Sequence, residues 1–160
     1  MNTDIRIYNF KTGETATEKA AAIIHSTDGR ILAIGNEVFD NPRIAAYLPT
    51  HPEDQVVSLV ESGRIMNEEY LEAALKYFNT THVFEGKRPI LRPKACVVVY
   101  HGYKDEATEV AYAAMLERIM YRDVLVYTAD EISQGYSSVE EAIWALGQRN
   151  RDIRGAFEIF

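Results

Sequence analysis

The residues of this 160-residue chain with the means to do acid–base chemistry are few. His101 directly follows the apolar run Ala95–Tyr100, and Asp130 and Glu131 directly follow the next one, Arg122–Thr128. If both runs are parallel strands, the three side chains gather at the carboxyl edge of a sheet, where open α/β sheets bind ligands. An imidazole beside two carboxylates suits general acid–base work, so His101, Asp130 and Glu131 are the candidate catalytic residues. The plainer alternative is a polar, solvated loop. The other histidines, His25, His51 and His82, are scattered along the sequence and predict no metal site. No Gly-rich phosphate loop, His-x-x-x-His or Gly-x-Ser-x-Gly string occurs, so no cofactor is expected. The single cysteine, Cys96, excludes an internal disulfide and reads as a small buried hydrophobe. Tyr100, Tyr103, Tyr112, Tyr121, Tyr127 and Tyr136 crowd the second half, as at a protein interface or the edge of a core.

The elements that must position these groups follow from pattern. Ile5–Phe10 alternates large apolar and polar residues, a half-buried strand, and Lys11–Glu14 is a turn. Thr15–Lys19 is mostly polar. Ala20–His25 and Ile31–Gly35 flank Thr27-Asp28-Gly29-Arg30 and predict a β-hairpin, with glycine supplying the positive φ of the turn. The first three strands are expected to form an antiparallel meander. Asp40-Asn41-Pro42 opens a short helix, and Gln55–Val60 is a short strand. Asn67 caps a helix whose stripe is Tyr70, Leu71, Ala74, Leu75 and Phe78. Pro89–Pro93 is an approach segment to the buried strand Ala95–Tyr100. A helix over Lys104–Met120, with Ala107, Val110, Ala111, Ala114, Met115 and Ile119 inward, joins it to Arg122–Thr128 as a βαβ unit. Ser137 and Glu140 have capping-box spacing before the last helix. Residues 149–160 are charged, then aromatic, and are expected to dock or to pair with another chain.

A single domain over 1–160 accounts for the length. The net charge of −7 and pI near 5.1 repel phosphate backbones, so no nucleic-acid partner is expected. No apolar run approaches the ~20 residues that span a bilayer. The opening Met1-Asn2-Thr3-Asp4 lacks the basic and apolar regions of a signal peptide, which predicts a cytoplasmic protein.

Thr27-Asp28-Gly29-Arg30-Ile31-Leu32-Ala33-Ile34-Gly35-Asn36-Glu37 resembles the "DGRVLAVGNEA"-like hairpin of MreB-type bacterial actins. Ser62-Gly63-Arg64-Ile65-Met66-Asn67 with Ala73–Phe78 resembles that family's "DGVIADF…MLKYFI" segment. Arg92–Val99 resembles the strand leading to its "VPSG" turn, and Arg122–Val126 the strand ending at "EEPMAAAIG". The resemblance spans Ile5 to Gly135 and implies a ribonuclease-H-like α/β fold. That is the actin-like ATPase subdomain, a mixed sheet with an antiparallel meander followed by parallel βαβ strands.

The departures bear on function. The family's leading "GIDLGT"-like strand and phosphate turn have no counterpart at the start of this sequence. Tyr100-His101-Gly102-Tyr103 stands where "VPSG" would be, and Thr128–Gly135 replaces "EEPMAAAIG". The family's hydrolysis-linked glutamate falls near Ala113 or Ala114, and its second large domain has no counterpart. Hydrolysis needs a phosphate cradle, a metal ligand and a placed water. The expectation is therefore a non-enzymatic interaction or assembly module that associates with itself or a protein partner, nucleotide binding being unlikely. The competing expectation is a small-molecule-binding or enzymatic domain using His101, Asp130 and Glu131.

Overall fold

The computed structural model describes residues 3–89, 91 and 93–160. The expected approach segment 89–93 includes Ile90 and Arg92, which lie outside the described residues. In chain order the first elements are β1 (Asp4–Asn9), β2 (Glu14–Lys19), β3 (Ala21–Ile24), β4 (Ile31–Ile34), α1 (Glu37–Asp40), α2 (Pro42–Tyr47) and β5 (Gln55–Ser58). Then come β6 (Val60–Glu61), β7 (Arg64–Ile65), α3 (Glu68–Phe78), β8 (Ala95–Tyr100), α4 (Glu106–Ile119), β9 (Asp123–Thr128), α5 (Ala129–Ile132), α6 (Val139–Arg149) and β10 (Ile153–Ile159). Residues 79–83 continue α3 as one π turn.

The main sheet has the order β2-β1-β10-β8-β9. β1 is antiparallel to both β2 and β10, whereas β10, β8 and β9 run parallel. One face buries Ile5, Ile7, Cys96, Val98 and Phe157 beneath Leu71, Leu75 and Phe78 of α3 and Tyr112, Met115 and Leu116 of α4. The other buries Tyr8, Val97, Val99 and Ala156 beneath Ala142 and Ile143 of α6. Every residue of β8 is buried, as its unbroken apolar run requires of a strand covered on both faces.

Two expectations about the sheet change. The antiparallel pairs of the main sheet are β1 with β2 and β1 with β10, while the 20–35 hairpin belongs to a separate sheet of order β4-β3-β5. β2 is polar and largely exposed, which suits an edge strand. After Ala20 the chain turns into β3, whose four residues are all buried. The larger change is at the C-terminal segment: residues 153–159 form the central strand, hydrogen-bonded to β1 and β8. Its charged residues hid this. Arg154 bonds Asn9 Oδ1 (3.2 Å) and lies over the Phe84 ring, and Glu158 is buried among partners described below. Gly155 is needed there, since a Cβ would lie 2.8 Å from the Tyr8 carbonyl oxygen.

Helix α3 forms where its cap and stripe place it. Asn67 accepts from the Tyr70 amide, and Leu71, Ala74, Leu75 and Phe78 are fully buried. Each of the larger ones adds roughly 1.5–3 kcal/mol of burial. On α4 the inward face is rotated from the expected one: Tyr112, Met115 and Leu116 are buried, while Ala107 and Val110 face solvent. Small alanines on several sides make that helix weakly amphipathic, so its packing partners chose the face. The cap of α6 is shifted by one residue, with Ser138 accepting from the Glu141 amide and Glu141 Oε2 taking the Ser137 amide (3.1 Å). A complete capping box forms instead on α5, between Thr128 and Glu131.

Candidate functional site

The parallel strands β10, β8 and β9 end on one edge at Ile159, Tyr100 and Thr128. At this edge the centre is a carboxylate that the sequence reading missed. Glu158, on the central strand, is 2% exposed. His101 Nε2 lies 2.8 Å from Glu158 Oε2, the Tyr8 hydroxyl donates to Oε1 at 2.5 Å, and Arg6 Nη1 stands 3.6 Å from Oε1. The His101 ring stacks on Phe160 with centroids 4.5 Å apart, and the Arg6 guanidinium sits over the same ring. Burial by itself would raise the Glu158 pKa. The hydrogen bonds from His101 and Tyr8 and the nearby positive charges outweigh it, so the net shift is downward. Burial, followed by the bond to this carboxylate, pushes the Tyr8 hydroxyl well up. Tyr8 is therefore a fixed donor, and the carboxylate stays ionised.

The three residues singled out from sequence have different partners. His101 belongs to the Glu158 cluster. Glu131 caps α5 and pairs with Lys104 (3.2 Å), which also holds Glu109 (3.1 Å). Asp130 is exposed. The only available signal for Glu158 was a charged residue between the apolar Phe157 and Ile159, and a surface arm offers the same pattern.

Above the edge sits the two-residue turn between β6 and β7. Ser62 (φ 49°) and Gly63 (φ 76°) are both left-handed, the geometry that closes a tight hairpin. The Gly63 amide donates to the Phe160 carbonyl oxygen (3.1 Å), and the buried Tyr112 hydroxyl donates to the Gly63 carbonyl oxygen (2.7 Å). A Cβ on Gly63 would lie 1.8 Å from the His101 carbonyl oxygen, and one on Gly102 would lie 2.6 Å from that of Ser62. Backbone thus meets backbone across the edge. Beside the contact remains a cavity of about 400 Å³, lined among others by Arg64, Tyr100, Tyr103, Lys104 and Thr108. Among the described residues no cluster of three or more His, Cys, Asp or Glu is placed to hold a metal ion. No helix among them is long and apolar enough to cross a membrane.

This architecture is an actin-like fold, a mixed α/β sheet with helices on both faces. The chain is similar to the crystal structures of MreB5 of Spiroplasma citri bound to ADP and to AMPPNP. Each matches with a TM-score of 0.65 and 14% identity over 84% of this chain. The match covers 38% of the length of those proteins. No protein-family model matches, and no curated protein matches.

Proposed function

We propose that this chain is an interaction or assembly module built on the actin-like scaffold and working without nucleotide hydrolysis. On this reading its role is cytoskeletal and related to bacterial cell shape, in the cytoplasm, through self-association or a protein partner. The observation that carries the reading is that backbone contact closes the carboxyl edge over the ends of β10 and β8, the cavity of about 400 Å³ lying beside that contact. The Ser62-Gly63 turn lies against His101 and Gly102, and Gly63 is bonded to Phe160, on the edge where an open α/β sheet takes its ligand. We read β10 as a stand-in for the leading strand of the MreB-type order, supplied from the other end of the chain. At its end Phe160 stacks on the His101 ring.

The test is thermal unfolding with and without Mg-ATP, Mg-ADP and Mg-GTP, together with a phosphate-release assay. A ligand at a hundredfold excess over its Kd adds about 2.7 kcal/mol, several degrees for a domain of this size. The reading requires no shift and no turnover. A clear Mg-ATP shift with phosphate release would overturn it.

A second reading, a small-molecule site working through His101, Asp130 and Glu131, draws support from the buried carboxylate that orients His101. A ring held on one nitrogen by a carboxylate is arranged as general bases are. Under this reading His101→Gln, which keeps a donor for Glu158, abolishes binding of a ligand found by screening and leaves Tm nearly unchanged. A large fall in Tm assigns His101 to the fold instead.

A further inference from the structure

The amino ends of the same parallel strands carry a basic groove in an otherwise acidic protein. Two cavities, of about 580 and 540 Å³, share Lys11, Arg151 and Arg154 as lining. Among the described residues their cations are Lys11, Lys87, Arg88, Lys94, Arg151 and Arg154, against one acid, Asp152. The chain has 17 Lys and Arg and 24 Asp and Glu in all, so the groove concentrates positive charge while the remaining surface is more negative than the total of −7 implies. Lys94 pairs with Asp152 at 3.6 Å, and Arg154 is fixed by Asn9 and Phe84. Lys11, Lys87, Arg88 and Arg151 are exposed and have no ion pair among the described residues. Four unneutralised cations on a concave surface make a field that attracts anions.

The lining is also apolar. Phe10 and Trp144 meet edge-on with centroids 5.4 Å apart, and Gly147 lets α6 approach them, since a Cβ there would lie 2.8 Å from the Phe10 ring. On the other side Leu91 is 82% exposed beside Pro89 and Pro93. A small inorganic anion uses none of this apolar surface. A nucleic-acid strand would run from the groove onto repelling acidic surface. The aromatic rings are engaged edge to face with each other or covered by Arg154, which leaves no free stacking platform.

We propose that this groove is the docking site for a short acidic segment of a partner protein, its carboxylates on Lys11, Arg151 and the neighbouring cations, and its apolar side chains on Leu91 and the Phe10–Trp144 wall. The site lies at the opposite end of the sheet from the Glu158 cluster and stands or falls apart from the nucleotide question.

Trp144 is the sole tryptophan, so its emission reports directly on the groove. The full chain is titrated with a fluorescein-labelled peptide of glutamates interspersed with leucines, read by anisotropy and, unlabelled, by Trp144 emission. The expected result is saturable binding that shifts the emission. Binding weakens at least tenfold in the Lys11→Glu/Arg151→Glu variant, whose circular dichroism is unchanged, and it falls with added salt. A lysine–leucine peptide does not bind. Four outcomes overturn the proposal: no binding of the acidic peptide; complete displacement by tripolyphosphate at equal charge; tighter binding of oligo-dT or of phosphatidylserine vesicles; or concentration-dependent self-association abolished by the same variant, which assigns the groove to a second copy.

Discussion

Two glycines with nearly the same backbone angle separate the cost of a left-handed residue from the cost of closing the sheet edge. Gly13 (φ 77°) has open space where a Cβ would go, whereas at Gly63 (φ 76°) the Cβ would lie 1.8 Å from the His101 carbonyl oxygen. Alanine at either site pays roughly 1–2 kcal/mol for the left-handed region. Both changes reduce unfolded-chain freedom equally, so that effect cancels in the comparison. At Gly63 the hairpin must also lift off the strand end. Such overpacking costs about 1–3 kcal/mol. The displacement further weakens two hydrogen bonds, Gly63 to Phe160 and Tyr112 to Gly63, each worth about 1 kcal/mol. Gly63→Ala should therefore lose roughly 3 kcal/mol more than Gly13→Ala. In a chain of this length that is a further fall of about 6–12 °C in Tm. Urea and thermal unfolding followed by circular dichroism measure both variants. Equal losses in the two would refute the closed edge, and with it the main support for a module without a nucleotide pocket.

Other expectations concern the same neighbourhood and the core. Tyr112→Phe removes a buried donor from the Gly63 carbonyl oxygen and should cost about 1–2 kcal/mol in a urea titration. Glu158→Ala leaves the Tyr8 hydroxyl and His101 without their shared acceptor and should cost about 3–5 kcal/mol, a small fraction of which returns with Gln. The depressed Glu158 pKa gives a pH dependence of known sign. The folded state holds the ionised form, so its stabilisation is full above the ordinary carboxylate value and is lost as pH falls through the lower folded value. Urea midpoints at about pH 6 and about pH 3 should differ less in Glu158→Gln than in the parent. Leu75→Ala, at a fully buried position under the sheet, should cost about 2–5 kcal/mol in the same assay.

The fold was legible in the sequence wherever a few neighbouring residues decide the outcome. Asn67 caps α3 because its side chain reaches an amide three residues on, and the stripe from Leu71 to Phe78 lies on one face because the helix period puts it there. The 27–30 turn closes because Gly29 takes a φ of 71°. β8 lies inside the sheet because six consecutive buried residues need cover on both sides. The parallel part of the sheet could be read from the βαβ unit, whereas the 20–35 hairpin, which lies in a separate sheet, misplaced its antiparallel part. The candidate site was legible only in part. His101 lies at the carboxyl edge, as its place after a parallel strand implies, but nothing local to it points 57 residues ahead to Glu158.

What the sequence by itself determined is the set of caps, turns, stripes and buried runs, since each is a contact between residues close in the chain. Only the tertiary structure decided that residues 153–159 insert between β1 and β8. It also decided that α4 turns Tyr112 inward, and that the Ser62-Gly63 turn closes on the strand end. Strand pairing joins positions such as Ile5 and Ile159, and its hydrogen bonds are made by backbone groups that every residue carries. A charged strand like β10 becomes a core strand only once Tyr8, His101, Arg6, Asn9 and Phe84 have assembled to satisfy its two charges.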